Sequence, residues 1–229
     1  MHVSLLLSSI EPAFATLGPK AAGMITRRRS LQVSSALLIC PFPTLARAQT
    51  AEPRVGDDGL HIQPWFSQSF LDLKEDLAEA ASAGRRLVIF WEQRGCPYCR
   101  ELHRVNLADA EIATYITTNF LALQLNLFGS REATDFDGTK MEERQLAARW
   151  RINFTPTVCF FPATVAEAQG RNGRDAEVWR LLGYWKPFHF HSTFVYVKED
   201  AYKTQPNFQR WLADYADRLR AEGKSVKLW

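Results

Sequence analysis

Two cysteines separated by two residues, in the run Gly95-Cys96-Pro97-Tyr98-Cys99-Arg100, stand between an apolar stretch and a helical one. The apolar stretch, Leu87-Val88-Ile89-Phe90-Trp91, follows Gly84-Arg85-Arg86 and is short, β-branched and aromatic, which predicts a buried strand. After the cysteines, Glu101, Leu102, Val105, Leu107 and Ala108 suit a helix with Leu102 and Val105 on its apolar face. Cys96 then falls at a helix N-terminus, where unpaired backbone N–H groups and the helix dipole favour an anion.

A free cysteine titrates at about 8.5, and this setting lowers it to roughly 3.5–7.5. Cys96 is the expected nucleophile, and Cys99, one turn later and more buried, is placed to resolve a mixed disulfide. Pro97 suits the first helical turn, where its missing N–H has no intrahelical partner. Two other readings compete. A closed zinc site needs four ligands, for which His103, His189 and His191 are the candidates beyond the pair, but no second ligand pair of suitable spacing exists. A static disulfide would close too small a loop to constrain much. Neither a metal nor a cofactor is therefore called.

Downstream, Trp150-Arg151-Ile152-Asn153-Phe154-Thr155-Pro156-Thr157-Val158-Cys159-Phe160-Phe161 follows a helix-like stretch from Met141 to Trp150 and ends in another buried-strand pattern. With the Cys-x-x-Cys helix before it, this order resembles the thioredoxin superfamily over roughly Trp65 to Gly183. The resemblance implies a thioredoxin fold of the α/β class, a central mixed sheet flanked by helices, and here a C-terminal helical extension. It implies that Pro156 is cis and faces the active-site sulfurs, that Thr155 pairs through its backbone with an extended substrate segment, and that the activity is thiol-disulfide exchange without a bound cofactor.

A narrower likeness is to periplasmic thioredoxins encoded beside bacterial sulfur-oxidation systems, the SoxW-like proteins. It is carried by Phe90-Trp91-Glu92-Gln93 before the motif, by Gly183-Tyr184-Trp185-Lys186-Pro187-Phe188-His189-Phe190, and by Gln205-Pro206-Asn207-Phe208-Gln209. It implies client protein disulfides as partners and a membrane thiol-electron transporter as reductant, with clients in sulfur oxidation or cytochrome c assembly. The sequence departs from ordinary thioredoxins in one respect: the position of their buried aspartate is Ile89 or Phe90 here. Glu92 can replace it as the base for the resolving thiol; equally, it suits a solvent-facing strand end. The Pro97-Tyr98 pair is closer to glutaredoxins than to the Gly-Pro of thioredoxins, too short a match to imply glutathione.

The N-terminus predicts export. Thr26-Arg27-Arg28-Arg29-Ser30-Leu31, the apolar run Val33 to Ile39, and Ala46-Arg47-Ala48 follow the order of a signal peptide, with cleavage after Ala48. The paired arginines and Arg47 near the cleavage site resemble a twin-arginine signal. Met24 begins a complete signal, so residues 1–23 lie upstream of the expected start and 24–48 form the leader. Ile39 before Cys40 disfavours lipidation. The apolar run is shorter than the about 20 residues a membrane span requires, so a soluble periplasmic protein is expected.

The whole chain carries 28 basic and 25 acidic residues, and removing residues 1–48, with five basic and one acidic, leaves 23 and 24. The apparent basicity thus belongs to the leader, and no nucleic-acid partner is implied. Cys96, Cys99 and Cys159 remain, an odd number that excludes a disulfide-stapled scaffold. Cys159 is expected to act as a small buried hydrophobe.

Residues 49–62 read as a linker and 63–229 as the domain. Within it, Phe70 to Ala83 suits a first helix with Leu73 and Leu77 on one face, Asp109 to Thr117 a helix and Phe120 to Asn126 a strand. Phe128 to Lys140 and Ala163 to Ala176 read as loop insertions, and Val178 to Gly183 as a last antiparallel strand. An aromatic cluster from Tyr184 to Tyr196 is expected to pack on the sheet, ahead of a helix from about Pro206 to Glu222. Besides the reductant, two readings stay open: an exported oxidant or isomerase, and a non-enzymatic Cu(I) or zinc carrier using the same thiolates.

Overall fold

The computed structural model describes residues 52–226. The signal peptide, its cleavage site and the alternative start lie outside the described residues.

The run expected to be a buried strand is β1 (Arg86–Glu92), and all seven of its residues are buried. It lies second in a four-stranded sheet of order β2-β1-β5-β6. Strand β2 (Phe120–Asn126) runs parallel to it, while β5 (Thr157–Phe160) and β6 (Trp179–Leu182) are antiparallel to β1 and β5 respectively. A strand so placed is covered on both faces, which explains why its sequence is continuously apolar.

Alternation of side chains along these strands divides the core into two. On one face Val88, Phe90, Phe120, Ala122, Val158 and Phe160 meet the helices α3 (Ala110–Asn119), α7 (Pro187–Lys198) and α9 (Phe208–Ala221). Phe194 of α7 sits 5.1 Å from the Phe120 ring and 4.9 Å from the Phe160 ring, so the aromatic cluster packs on the sheet as expected. On the other face Leu87, Ile89, Trp91, Leu121 and Cys159 meet α1 (Leu73–Ser82) and α4 (Glu143–Arg149). The result is a thioredoxin fold, extended at its C-terminus by α8 (Ala201–Thr204) and α9.

Several local expectations change. The first helix begins at Leu73 because Asp72 caps it, accepting from the Lys74 and Glu75 N–H groups, and this leaves Phe70 outside and fully exposed. The helix expected from Met141 begins at Glu143, since Met141 pairs in a strand. The insertion at 128–140 is not a plain loop: β3 (Glu132–Thr134) and β4 (Lys140–Glu142) form a hairpin. The second insertion carries two short helices, α5 (Val165–Ala168) and α6 (Gly173–Ala176). Their common anchor is Asp135, which is fully buried and accepts from the Phe136 N–H at 2.8 Å, the Gly173 N–H at 2.8 Å, the Trp150 indole at 3.1 Å and Arg149 at 3.0 Å. A Cβ on Gly173 would collide with the Trp150 ring, so the backbone of α6 reaches Asp135 only because that residue is glycine.

The largest revision concerns the linker. Residues 52–62 fold into a turn closed by a bridge between Val55 and His61, with Leu60 only 1% exposed. Hydrogen bonds hold it: the Gly56 N–H donates to the Leu60 carbonyl at 2.9 Å, and the Gln124 amide donates to the His61 carbonyl. A Pro/Gly/Asp-rich composition marks tight turns as well as tethers, and composition alone does not separate the two.

The Asp135 anchor yields a stability prediction. Asp135→Ala strands buried donors in two insertions and should lower the unfolding free energy by about 3 kcal/mol. The neighbouring Asp137→Ala, which loses a partly exposed ion pair with Arg149, should cost less than about 1 kcal/mol. Urea unfolding of both variants measures the contrast, and equal losses would refute the anchoring role.

Candidate active site

Strand β1 delivers Glu92 to the carboxyl end of the sheet, and the chain then turns through Gly95, whose φ of +70° suits glycine. There the short helix α2 (Pro97–Glu101) begins, with Cys96 as its N-cap. The Cys99 N–H donates to Cys96 Sγ at 3.1 Å. Pro97 occupies the first helical position as expected. Cys96 and Cys99 are joined as a disulfide, their Cα atoms 5.2 Å apart. Cys96 is 3% exposed and Cys99 is wholly buried, while Pro97 and Tyr98 face solvent.

The segment before β5 closes the other side. The Thr155–Pro156 peptide bond is cis, and the Thr155 carbonyl oxygen lies 3.6 Å from Cys96 Sγ. Among the described residues no group accepts the Thr155 N–H. Phe154, just before it, and Leu182, at the end of β6, are both about half exposed beside this segment.

Glu92 does not face solvent. Its side chain is fully buried and its Oε1 lies 2.8 Å from His103 Nε2. His103 Nδ1 is 3.2 Å from the Gln63 amide nitrogen, which can only donate. Nδ1 is therefore the acceptor, and the proton on Nε2 is donated to Glu92. The other carboxylate oxygen, Oε2, is buried with no partner among the described residues.

His103 follows the buried Cys99 by four residues, on the same side of the helix, which changes pitch after α2. Leu102–Asn106 is a π-helical turn, the Leu107 N–H donating to the Leu102 carbonyl at 2.9 Å. Leu102, His103 and Asn106 are buried here, rather than the expected pair Leu102 and Val105. The Asn106 amide then donates to the Trp185 carbonyl at 2.9 Å, tying the active-site helix to the loop after β6. Such π insertions occur often at functional sites.

Of the residues expected at the site, Cys96, Pro97, Tyr98, Cys99, Thr155, Pro156 and Glu92 all belong to this one end of the sheet. His103 is committed to Glu92 and Gln63, and His189 and His191 lie on α7, where burial holds both imidazoles below their ordinary range. No group of three or more His, Cys, Asp or Glu suited to a metal exists among the described residues. Cys159 is fully buried in the core, and burial pushes its thiol well above the usual range. His103 had a visible signal, its spacing of four from Cys99, whereas Gln63 had none.

A comparison with protein families matches residues 73–198 to the thioredoxin-like domain. No curated protein matches the chain. Among solved structures, a thioredoxin-fold protein from Helicobacter pylori is 19% identical, with 59% of this chain and 84% of that one covered and a TM-score of 0.47. A thioredoxin from Thermus thermophilus is 23% identical, with 56% and 84% covered and a TM-score of 0.42. The oxidised C-terminal domain of Neisseria meningitidis DsbD is 16% identical, with 56% and 97% covered and a TM-score of 0.36. The family match takes in more than half of the chain, including both cysteines and the cis-proline, and so the chain belongs to the thioredoxin-like domain family as a thiol-disulfide oxidoreductase.

Proposed function

We propose that this protein is an exported reductant of client disulfides. The observation that carries the exchange chemistry is the Cys96 sulfur at the N-cap of α2, receiving the Cys99 N–H. On reduction the same amide and the helix dipole favour a thiolate there.

The Cys96 thiolate attacks one sulfur of the client disulfide, forming a Cys96–client bond and releasing the other client sulfur as a thiolate. Cys99 then loses its proton and attacks Cys96 Sγ. That closes the intramolecular disulfide and frees the second client thiolate. The client gains two electrons and, from solvent and the site, two protons; the dithiol is regenerated by an upstream thiol donor. The unused Thr155 N–H and the nearby carbonyl offer an extended client segment a short stretch of backbone pairing. Glu92 is the group proposed to accept the Cys99 proton. It is buried behind the motif, one of its oxygens is unpartnered, and His103, four residues after Cys99, orients the other.

Export follows from the leader pattern, and the membrane thiol transporter and the clients of sulfur oxidation or cytochrome c assembly follow from the SoxW-like motifs. The opposite direction of flow requires a strongly stabilised dithiol. Equilibration of the mature protein with dithiothreitol buffers measures this: a reductant should have a potential near the roughly −270 mV of thioredoxin, and a value near −120 mV would assign it as an oxidant. Absence of a reversible couple, with stoichiometric Cu(I) or zinc retained by wild type and lost in Cys96→Ser, would establish the carrier reading instead.

Glu92→Gln should slow resolution of the Cys96 mixed disulfide by about 10²-fold, the lower end of what a positioned base contributes, and should flatten its pH dependence. Acid-quenched time courses would then show the mixed disulfide accumulating, and an unchanged rate and pH profile would remove Glu92 from the proton path. In the reduced protein, iodoacetamide should label Cys96 while leaving Cys159 unmodified until unfolding, as mass spectrometry can show; labelling of native Cys159 would contradict its burial.

A further inference from the structure

The turn 52–62 lies outside the family match, yet it is joined to the active-site loop and helix at three places. Gly59, with φ +80°, lies against Arg94: a Cβ there would collide with Arg94 Nε and stand 2.9 Å from its Cγ. Glu52 forms a two-pronged ion pair with Arg100, the Arg100 Nε donating to Oε2 at 2.8 Å and Nη2 to Oε1. His61 packs 5.6 Å from the His103 ring. Between turn and helix a cleft of about 540 Å³ opens on Cys96, with Val55, His61, Arg94 and Arg100 in its walls.

The cleft wall itself carries two guanidinium groups and no carboxylate. Arg94 is exposed and no carboxylate among the described residues pairs with it. Arg100 holds Glu52, a carboxylate from the chain itself, and the bidentate geometry is the one in which guanidinium recognises carboxylate. His61 is partly buried, and burial holds its imidazole below the ordinary range. Val55, 56% exposed, gives the opposite wall an apolar patch.

We propose that this cleft is a specificity subsite that takes an acidic side chain next to the client cysteine, pairing it with Arg94 and, when Glu52 is displaced, with Arg100. The 52–62 turn is then part of the client-binding surface. Glu52 is an internal competitor that occupies the second guanidinium until a client carboxylate arrives. The inference rests on the exchange chemistry proposed above.

The test uses the full chain, pre-reduced, and three extended peptides, each with a central cysteine in mixed disulfide with mercaptoethanol and flanked by Glu, Gln or Lys. Single-turnover rates should favour the Glu over the Lys peptide by about fivefold at low ionic strength, the scale of one exposed ion pair, and the ratio should shrink toward one at 1 M salt. Arg94→Gln should lower this Glu/Lys ratio, Arg94→Glu should lower it further, and Glu52→Gln should raise it by freeing Arg100. Because each variant is scored by its own ratio, a general loss of activity does not imitate the effect. A wild-type ratio of one, or a ratio unmoved by Arg94→Glu, would overturn the subsite while leaving the exchange reading intact. No exchange even with the Gln peptide would overturn that reading and this one together.

Discussion

Strand β1 has no face toward water. Its seven residues are shared between two cores, one under α3, α7 and α9 and the other under α1 and α4. Burial of that kind is worth about 25 cal/mol for each Å² of apolar surface removed from water, and it fixes the strand against both sliding and rotation. Everything reactive is attached to its last residue. Glu92, the turn at Gly95, Cys96 and the start of α2 follow within a few residues, so the sulfur inherits the rigidity of the sheet rather than that of a loop. The cis Thr155–Pro156 segment is held in the same way, because β5 pairs with β1 through Trp91↔Thr157.

The active-site helix buries two polar side chains. The core face was expected to carry Leu102 and Val105; His103 and Asn106 are buried beside Leu102, and Val105 is not. His103 reaches the carboxylate at the end of β1, and Asn106 reaches the loop after β6. Both bonds lie where water is scarce, so an unmade partner would be costly. The active-site helix is consequently pinned from behind by polar contacts rather than by packing alone, and the alignment of Cys99 is coupled to the strand, to the β6 loop and, through Gln63, to the N-terminal segment.

Where burial dictates residue choice, the sequence was readable. The continuous apolar runs gave β1 and β2 almost to the residue, and the cysteine pair with Pro97 gave the helix start. The features that were not legible depend on partners distant in the chain. Asp135 looks like one more loop acid until Trp150 and Gly173 are brought to it, and Glu92 looks like a strand-end acid until His103 covers it. Residues 52–62 have the composition of a tether, and only the placement of Arg94 and Arg100 on α2 and its entry loop turns them into a wall. The π turn had no local signal at all, since the same five residues are compatible with a plain helix.

The buried acid behind the motif also bears on the direction of electron flow. A redox potential measures how much better the fold holds the dithiol than the disulfide, and for a two-electron couple about 1.4 kcal/mol corresponds to 30 mV. The amide of Cys99 and the dipole of α2 stabilise a Cys96 thiolate and so raise the potential. A single hydrogen bond to a charged group, worth about 1.5–3 kcal/mol, accounts for roughly 30–60 mV in that sense. A buried carboxylate close to the sulfurs acts the other way, since it disfavours negative charge on them and weakens the reduced form, and Glu92 is the buried carboxylate that ends β1 ahead of the motif. These two effects oppose one another, and the contact that holds Glu92 in place, its bond with His103, bears on their balance.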